Sequence, residues 1–362
     1  MNLISLLSEC ANYPSGDNAQ PFRFKILNGN SFEIFHIAEI ARHRLNFKNM
    51  TSILSLGTFM ETVSLVAKKH NLQCEFILDS EVWKTEKNLA WALVKLSTLR
   101  TEASEDDHFL IQKMSQRCVD RRLYSTAELR AEDIKWIEKE ASLNSRIQFT
   151  YHHKLQPELI EALIKLEPLF WKDFRIAKDI FDWIRFDQKK LEIARDGMNW
   201  QSLGLAPHLK PVLKIICDYP KLYEVLARLG ATKSNVKILS NQLRHSGGFG
   251  LFASSSTETI DLIGISRAYF RIWVYLNAKG YAFQPITFST FTLYQYLTQN
   301  LPEDWPKKIL NQYPELLKAW KIQCAFDENV IPVWGFRVGW PIAEMPVIAR
   351  TLRKDIAELI IK

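Results

Sequence analysis

Apolar residues recur along the chain first with the spacing of a helix and then with the alternation of strands. Residues 3–12 follow helical spacing and stop at Tyr13-Pro14-Ser15-Gly16-Asp17-Asn18, a run rich in turn formers. Pro21–Leu27 alternates apolar and polar residues as a half-buried strand does, Asn28-Gly29-Asn30 supplies a turn, and Ser31–His36 returns, so a β-hairpin is predicted. Over Thr51–Asn71, Ile53, Leu56, Phe59, Met60, Val63 and Val66 fall at spacings of three and four, which predicts a long helix. Strands are expected next at Gln73–Leu78 and Ala90–Ser97.

The same reading places a helix near Asp107–Ser115, a basic turn at Gln116–Arg122, and helices at Ala131–Ala141 and Pro157–Lys165 around a strand at Arg146–His152. Irregular helical sequence runs to about Leu243, then a strand at Gly250–Ser254, a long helix at Ile263–Lys279 and a strand or turn at Tyr281–Pro285. Aligning Asn71-Leu72 with Gly280-Tyr281, an offset of 209 (280 − 71), sets Val63 opposite Ile272 and Leu65 opposite Val274. Both segments are long apolar helices that end in a turn and a strand, the pattern of an internal repeat. Two unrelated core helices are the alternative.

The 362 residues are roughly two domains' worth of chain, and 47% hydrophobic with 24% charged residues is an ordinary globular composition. The net charge of +7 comes from 47 basic residues interspersed with 40 acidic ones, which favours an anionic ligand over nucleic acid. Uninterrupted apolar runs such as Ile331–Trp334 fall far short of the roughly 20 residues of a membrane helix. The first ten residues lack a basic signal-peptide start, so a cytoplasmic location without a membrane span is expected. Five scattered cysteines without a Cys-x-x-Cys pair predict reduced thiols, and His152-His153, without a third ligand nearby, predicts no metal.

Four segments carry candidate chemistry. Pro14-Ser15-Gly16-Asp17-Asn18-Ala19-Gln20-Pro21-Phe22-Arg23-Phe24 offers a hydroxyl, an uncrowded backbone and amides, a mixed donor and acceptor set suited to a heterocycle edge. Gln116-Arg117-Cys118-Val119-Asp120-Arg121-Arg122 offers arginine forks that can each donate to two phosphate oxygens, although such a run also suits a solvated face. Gly280-Tyr281-Ala282-Phe283-Gln284-Pro285-Ile286-Thr287-Phe288 leaves the second long helix. Phe336-Arg337-Val338-Gly339-Trp340-Pro341 is followed by Ala349-Arg350-Thr351-Leu352-Arg353, with Arg337 alternatively a structural ion pair.

In this order the four segments resemble the P-S-x-x-N-x-Q-P-W-R-F, R-R-S-x-R, G-L-x-x-x-P-I-x-G and R-x-G-x-P elements of the FMN-dependent nitroreductase superfamily. Chain length and Arg195-Asp196-Gly197-Met198-Asn199-Trp200-Gln201-Ser202-Leu203-Gly204-Leu205 resemble its Acg-like branch, in which one chain looks like a folded-up nitroreductase dimer with one flavin site and a lid. The resemblance implies an α+β, nitroreductase-like fold, a mixed or antiparallel sheet flanked by helices, internally duplicated as a pseudo-dimer. Residues 1–105 would form the half that supplies the flavin loop. Residues 106–362 would form the half with the arginine phosphate site and a helical lid insertion at about 155–245.

The implied FMN ligands are Pro14, Ser15, Gly16, Asn18, Gln20, Arg117, Val119, Arg121, Pro285, Thr287, Phe288, Arg350 and Arg353, with the backbone at Thr287 and Phe288 near flavin N5 and no side-chain acid or base required. Thr287-Phe288 replaces the usual acidic residue and glycine, which sets a bulky side chain where a nicotinamide or substrate would stack. The implied activity is hydride transfer from NAD(P)H through FMN to a nitroaromatic, quinone or similar small molecule, by a monomer able to oligomerise further. An FMN-sequestering or flavin-sensing protein with a closed site is the alternative. Trp171, Phe174, Phe181 and Trp183, clustered with charged residues between them, also fit a helical interaction protein.

Overall fold

The computed structural model describes residues 2–362 except Glu86, Ala206, Ala231, Thr232 and residues 344–350. Helix α1 (Leu3–Cys10) starts where the Asn2 side chain accepts a hydrogen bond from the Ile4 N–H, an ordinary N-cap. Strands β1 (Phe22–Asn28) and β2 (Ser31–His36) form the hairpin, α2 (Met50–Lys69) is the long helix, and β3 (Leu72–Leu78) and β4 (Leu89–Thr98) complete the first sheet. These elements match the expected ones to within a residue or two. The stretch 44–69 is long and apolar enough to cross a membrane although polar residues interrupt it, but 89% of its most apolar window is buried inside the molecule. It is a core helix, apolar on every side because every side is packed.

Helix α3 (Glu105–Lys113) leads to the arginine segment, followed by α4 (Ala131–Ala141) and β5 (Ile147–His152). A long helical insertion comes next: α5 (Pro157–Lys172), α6 (Phe174–Phe181), the two-residue strand β6 (Ile184–Arg185), α7 (Gln188–Ala194), the two-residue strand β7 (Met198–Asn199), α8 (Lys210–Asp218), α9 (Pro220–Arg228) and α10 (Lys233–Arg244). The chain then forms β8 (Gly248–Ser254), α11 (Thr259–Ala278), β9 (Ala282–Ile286), α12 (Phe288–Leu297), α13 (Lys307–Leu310), α14 (Tyr313–Cys324) and β10 (Ile331–Gly339), and ends in α15 (Ile356–Leu359) and β11 (Ile360–Ile361). The class is α+β, two main sheets flanked by helices, with β6 and β7 paired as a separate two-stranded parallel ribbon.

The two sheets follow one plan. The first runs β1-β2-β4-β3 and the second β5-β8-β10-β9, all neighbours antiparallel, and in each the long helix joins the second strand of the order to the strand at the far edge. Helices α2 and α11 are both 20 residues long, and their first residues (259 − 50) and last residues (278 − 69) are both 209 apart, the offset read from sequence. They pack against each other at the centre of the molecule. A Cβ on Gly57 would stand 1.9 Å from Ser266 Oγ and 2.8 Å from the Ile263 carbonyl oxygen. Position 57 plus 209 is 266, so each helix meets its own counterpart at the crossing, the geometry of an isologous interface around a two-fold axis. Short strand β11, from the far end of the second half, joins the first sheet parallel to β1.

Charge as well as apolar packing holds this centre. Arg271 of α11 donates to Glu61 of α2 (3.0 Å), Asp107 of α3 (2.8 Å) and Glu140 of α4 (2.6 Å), and Lys68 reaches Asp107 at 2.7 Å. The Lys68 and Arg271 hydrogen bonds outweigh burial and hold the Asp107 carboxyl near pKa 2.

Candidate functional site

The loop between α1 and β1 turns through left-handed backbone at Asp17 (φ 46°), Asn18 (φ 59°) and Gln20 (φ 53°). Asparagine and aspartate tolerate this region because their short polar side chains bond locally; Gln20 is held there by its surroundings. Ser15 Oγ accepts from the Gln20 N–H at 3.0 Å, and Thr58 of α2 donates to the Pro14 carbonyl at 3.1 Å. Gly16 lies against Thr51 of α2 with ordinary spacing.

From this frame two buried amides point into the molecule. Asn18 Nδ2 donates to the carbonyls of Gly197 and Leu352, both at 2.9 Å, and its Oδ1 accepts from Arg353. Gln20 Nε2 donates to the Arg195 carbonyl at 2.8 Å, and its Oε1 accepts from the Lys354 N–H at 2.9 Å. The N-terminal loop, the Arg195–Gly197 turn of the insertion and the C-terminal segment are therefore one knot. Every donor and acceptor of the Asn18 amide is engaged by protein, whereas the resemblance has this residue facing a flavin.

The arginine segment lies beside β9, with the Asp120 N–H donating to the Phe283 carbonyl at 2.9 Å. Arg117 sits over the Trp273 ring at 4.4 Å and donates to the Asn12 carbonyl, just before the loop. Val119 packs on the main core, and Arg122 pairs with Asp120 at 2.7 Å. Arg121 turns towards the loop and donates to the Ser202 carbonyl at 2.8 Å and to Met198 Sδ at 3.7 Å. Its guanidinium feels the Asp17 carboxylate, and burial lowers its affinity for its proton.

Three guanidinium groups, one fully and two half-buried, share one feature: among the described residues none has a carboxylate within ion-pair distance. They are Arg121, Arg353 and Arg337. Arg337 is 2% exposed, donates to Gln284 (2.6 Å) and to the Arg122 carbonyl (2.7 Å), and lies 4.0 Å over the Tyr124 ring, so its partners are neutral and it is not a structural ion pair. Arg353 donates to Asn18 and Thr351; its Nε has no partner, and burial pushes its pKa down to about 10. Holding a guanidinium away from water without a counter-charge costs several kcal/mol. Neutral acceptors satisfy most of the donors but not the charge, so an anion is the group these arginines lack.

Against the loop lies a cavity of about 110 Å³ lined by Gly16, Asp17, His43, Trp183, Thr287 and Phe291 among others. Thr287 of the second half thus faces Gly16 of the first. His43 Nε2 stands 3.5 Å from Asp17, whose carboxyl is raised above its ordinary pKa by burial. Pro285 lies on edge strand β9 opposite Phe336, and the Phe288 ring leaves the cavity to pack on Phe170 (5.3 Å) and Trp171 (5.9 Å) of α5. Arg350, the first phosphate ligand implied by the resemblance, lies outside the described residues. Asp17 was within the quoted motif but not singled out, and His43 carried no sequence signal because its proximity comes only from the chain folding back.

The donor set suits an organic phosphate. As the residues stand the cavity is smaller than the roughly 300 Å³ from which small-molecule pockets run, so a planar tricyclic ring enters only when its lining moves apart.

No family model matches the chain, and no curated protein matches it. Among solved structures it is similar to the FMN-dependent nitroreductase NfnB from Mycobacterium smegmatis in complex with NADPH (12% identity over 69% of this chain and 96% of that one, TM-score 0.37). It is also similar to an FMN-dependent nitroreductase from Clostridium difficile R20291 (14% identity, 68% and 94%, TM-score 0.32). A third is the FMN- and NADPH-dependent nitroreductase NfnB from sphigopyxis sp. strain HMH (10% identity, 68% and 94%, TM-score 0.32). At TM-scores below 0.5 nothing is carried over from them.

Proposed function

We propose that the chain is an FMN-binding oxidoreductase of the nitroreductase type, a pseudo-dimer in one polypeptide with its flavin site in the cleft between the halves. The observation that carries this reading is the convergence of the Asp17-Asn18 loop of one half with Arg121 and Arg353 of the other, two half-buried cations with no carboxylate within ion-pair distance among the described residues. Internal two-fold repetition supports it, because a site shared between subunits needs both halves. In this reading Arg353 and Arg121, with Arg117 and Arg350 nearby in sequence, hold the phosphate, and Gly16 and Thr287 border the ring. Bound FMN would supply hydride transfer from NAD(P)H to a nitroaromatic or quinone acceptor. The protein's part is to hold the phosphate, orient the ring and keep water out.

The full engagement of Asn18 and the narrow cavity favour a second reading, a protein that closes over FMN and does not turn over. The test is the absorbance spectrum after adding FMN and removing the unbound fraction, then anaerobic NADPH or NADH. Flavin bands that bleach with the nucleotide support the reductase, bands that bleach only with dithionite support sequestration, and retention of no flavin refutes both.

A further inference from the structure

Helices α8 and α9 are apolar on two sides. Their inner residues Leu213, Ile216, Tyr223 and Ala227 pack on a small core that also contains Trp183 and Phe288. The opposite side bears Val212, Ile215, Tyr219, Leu222, Val225 and Leu229, at spacings of three and four, each 42–79% exposed. A helix whose outer stripe is aliphatic and unpartnered presents a surface for something else to cover.

The surrounding charge selects the partner. Between residues 207 and 245 the sequence has seven basic residues and two acidic ones, a net +5 of the whole chain's +7. Lys221 and Lys237 are exposed, Lys214 is exposed and paired with Asp218 one turn further on, and Lys210 lies over the Trp200 ring at 5.1 Å. A second copy of the chain would set two such basic faces against each other, which like charge disfavours. Nucleic acid would answer the lysines but leave the aliphatic stripe in water. Aliphatic side chains and a tyrosine flanked by lysines whose stems reach upward are what a membrane interface accommodates, with the ammonium groups among anionic headgroups.

We propose that α8 and α9 dock on the surface of an anionic lipid bilayer, lying in the interface plane without crossing it. Because their inner faces share a core with Trp183, which lines the cavity, the docked helices adjoin one wall of the cavity. The docking does not depend on FMN.

The experiment is vesicle flotation of the full chain with phosphatidylcholine vesicles and with vesicles in which part of the lipid is phosphatidylglycerol. The expected result is flotation with the anionic vesicles, several-fold less with phosphatidylcholine alone, and a fall as salt screens the lysines. Val225→Asp with Leu229→Asp, both at exposed positions, is expected to abolish flotation while leaving the thermal melting curve unchanged; Lys214→Glu with Lys221→Glu is expected to weaken it several-fold. Absence of flotation with anionic vesicles overturns the proposal, as does flotation unchanged in the aspartate pair. A concentration-dependent dimer in sedimentation velocity that the aspartate pair abolishes, without flotation, assigns the stripe to a second copy and also overturns it.

Discussion

Replacing Gly57 by alanine tests the crossing of α2 and α11, where a new Cβ would stand 1.9 Å from Ser266 Oγ and 2.8 Å from the Ile263 carbonyl oxygen. The serine hydroxyl can rotate away only by giving up its 3.0 Å hydrogen bond to that carbonyl, a loss of about 1 kcal/mol. The carbonyl belongs to helix backbone and cannot move alone, so the helices must part, an overpacking cost at the upper end of about 1–3 kcal/mol. Alanine's better helix propensity returns about 1 kcal/mol. The net is destabilisation of about 3 kcal/mol, or roughly 4 °C in Tm for a chain of this size. Urea unfolding followed by tryptophan fluorescence and a thermal melt measure it. Ser266→Ala in the same background removes the hydroxyl clash but leaves the carbonyl contact, so it should restore about a third of the loss. A Gly57→Ala protein as stable as the parent would refute the close crossing and the two-fold geometry built on it.

Arg353→Met removes a half-buried cation but orphans the buried Asn18 Oδ1, so without FMN the variant should melt close to the parent temperature, while the rise in Tm that FMN gives the parent should disappear; an unchanged FMN-induced shift in a melting assay would argue against the phosphate role. Arg271→Gln leaves Glu61, Asp107 and Glu140 clustered around a neutral group and should cost about 3–5 kcal/mol in urea unfolding. Glu167, half-buried on α5, has its carboxyl pushed up to about 7 by burial, which the Trp171 hydrogen bond only partly offsets. The unfolded carboxyl loses its proton near 4.5 and the folded one near 7, so this residue's contribution to stability falls as pH rises between those values and is flat above them. Glu167→Gln should therefore be more stable than the parent at pH 8 by about 2 kcal/mol, discounted for the remaining exposure, and no more stable at pH 4, as paired melts at the two values would record.

Much of the architecture was legible because local periodicity and burial coincide. The Phe22–His36 hairpin, α2 and α11 read directly from apolar spacing, and the offset of 209 survives in the bounds of both long helices. Beyond its first helix the insertion read only as irregular helix. Its helices α8 and α9 are short, broken at Tyr219-Pro220, and apolar on two faces, so no single period emerges.

Sequence alone therefore determined the elements, the repeat and the kinds of residue available to a site. Which of those residues meet was decided by the tertiary structure, because Asn18 reaches Gly197 and Arg353 across 179 and 335 positions of chain. No local pattern records such a distance. The same holds for charge: an arginine-rich run looks alike whether it is solvated or buried, and only packing put Arg122 against Asp120 while leaving Arg121 and Arg353 half-buried with no carboxylate within ion-pair distance among the described residues.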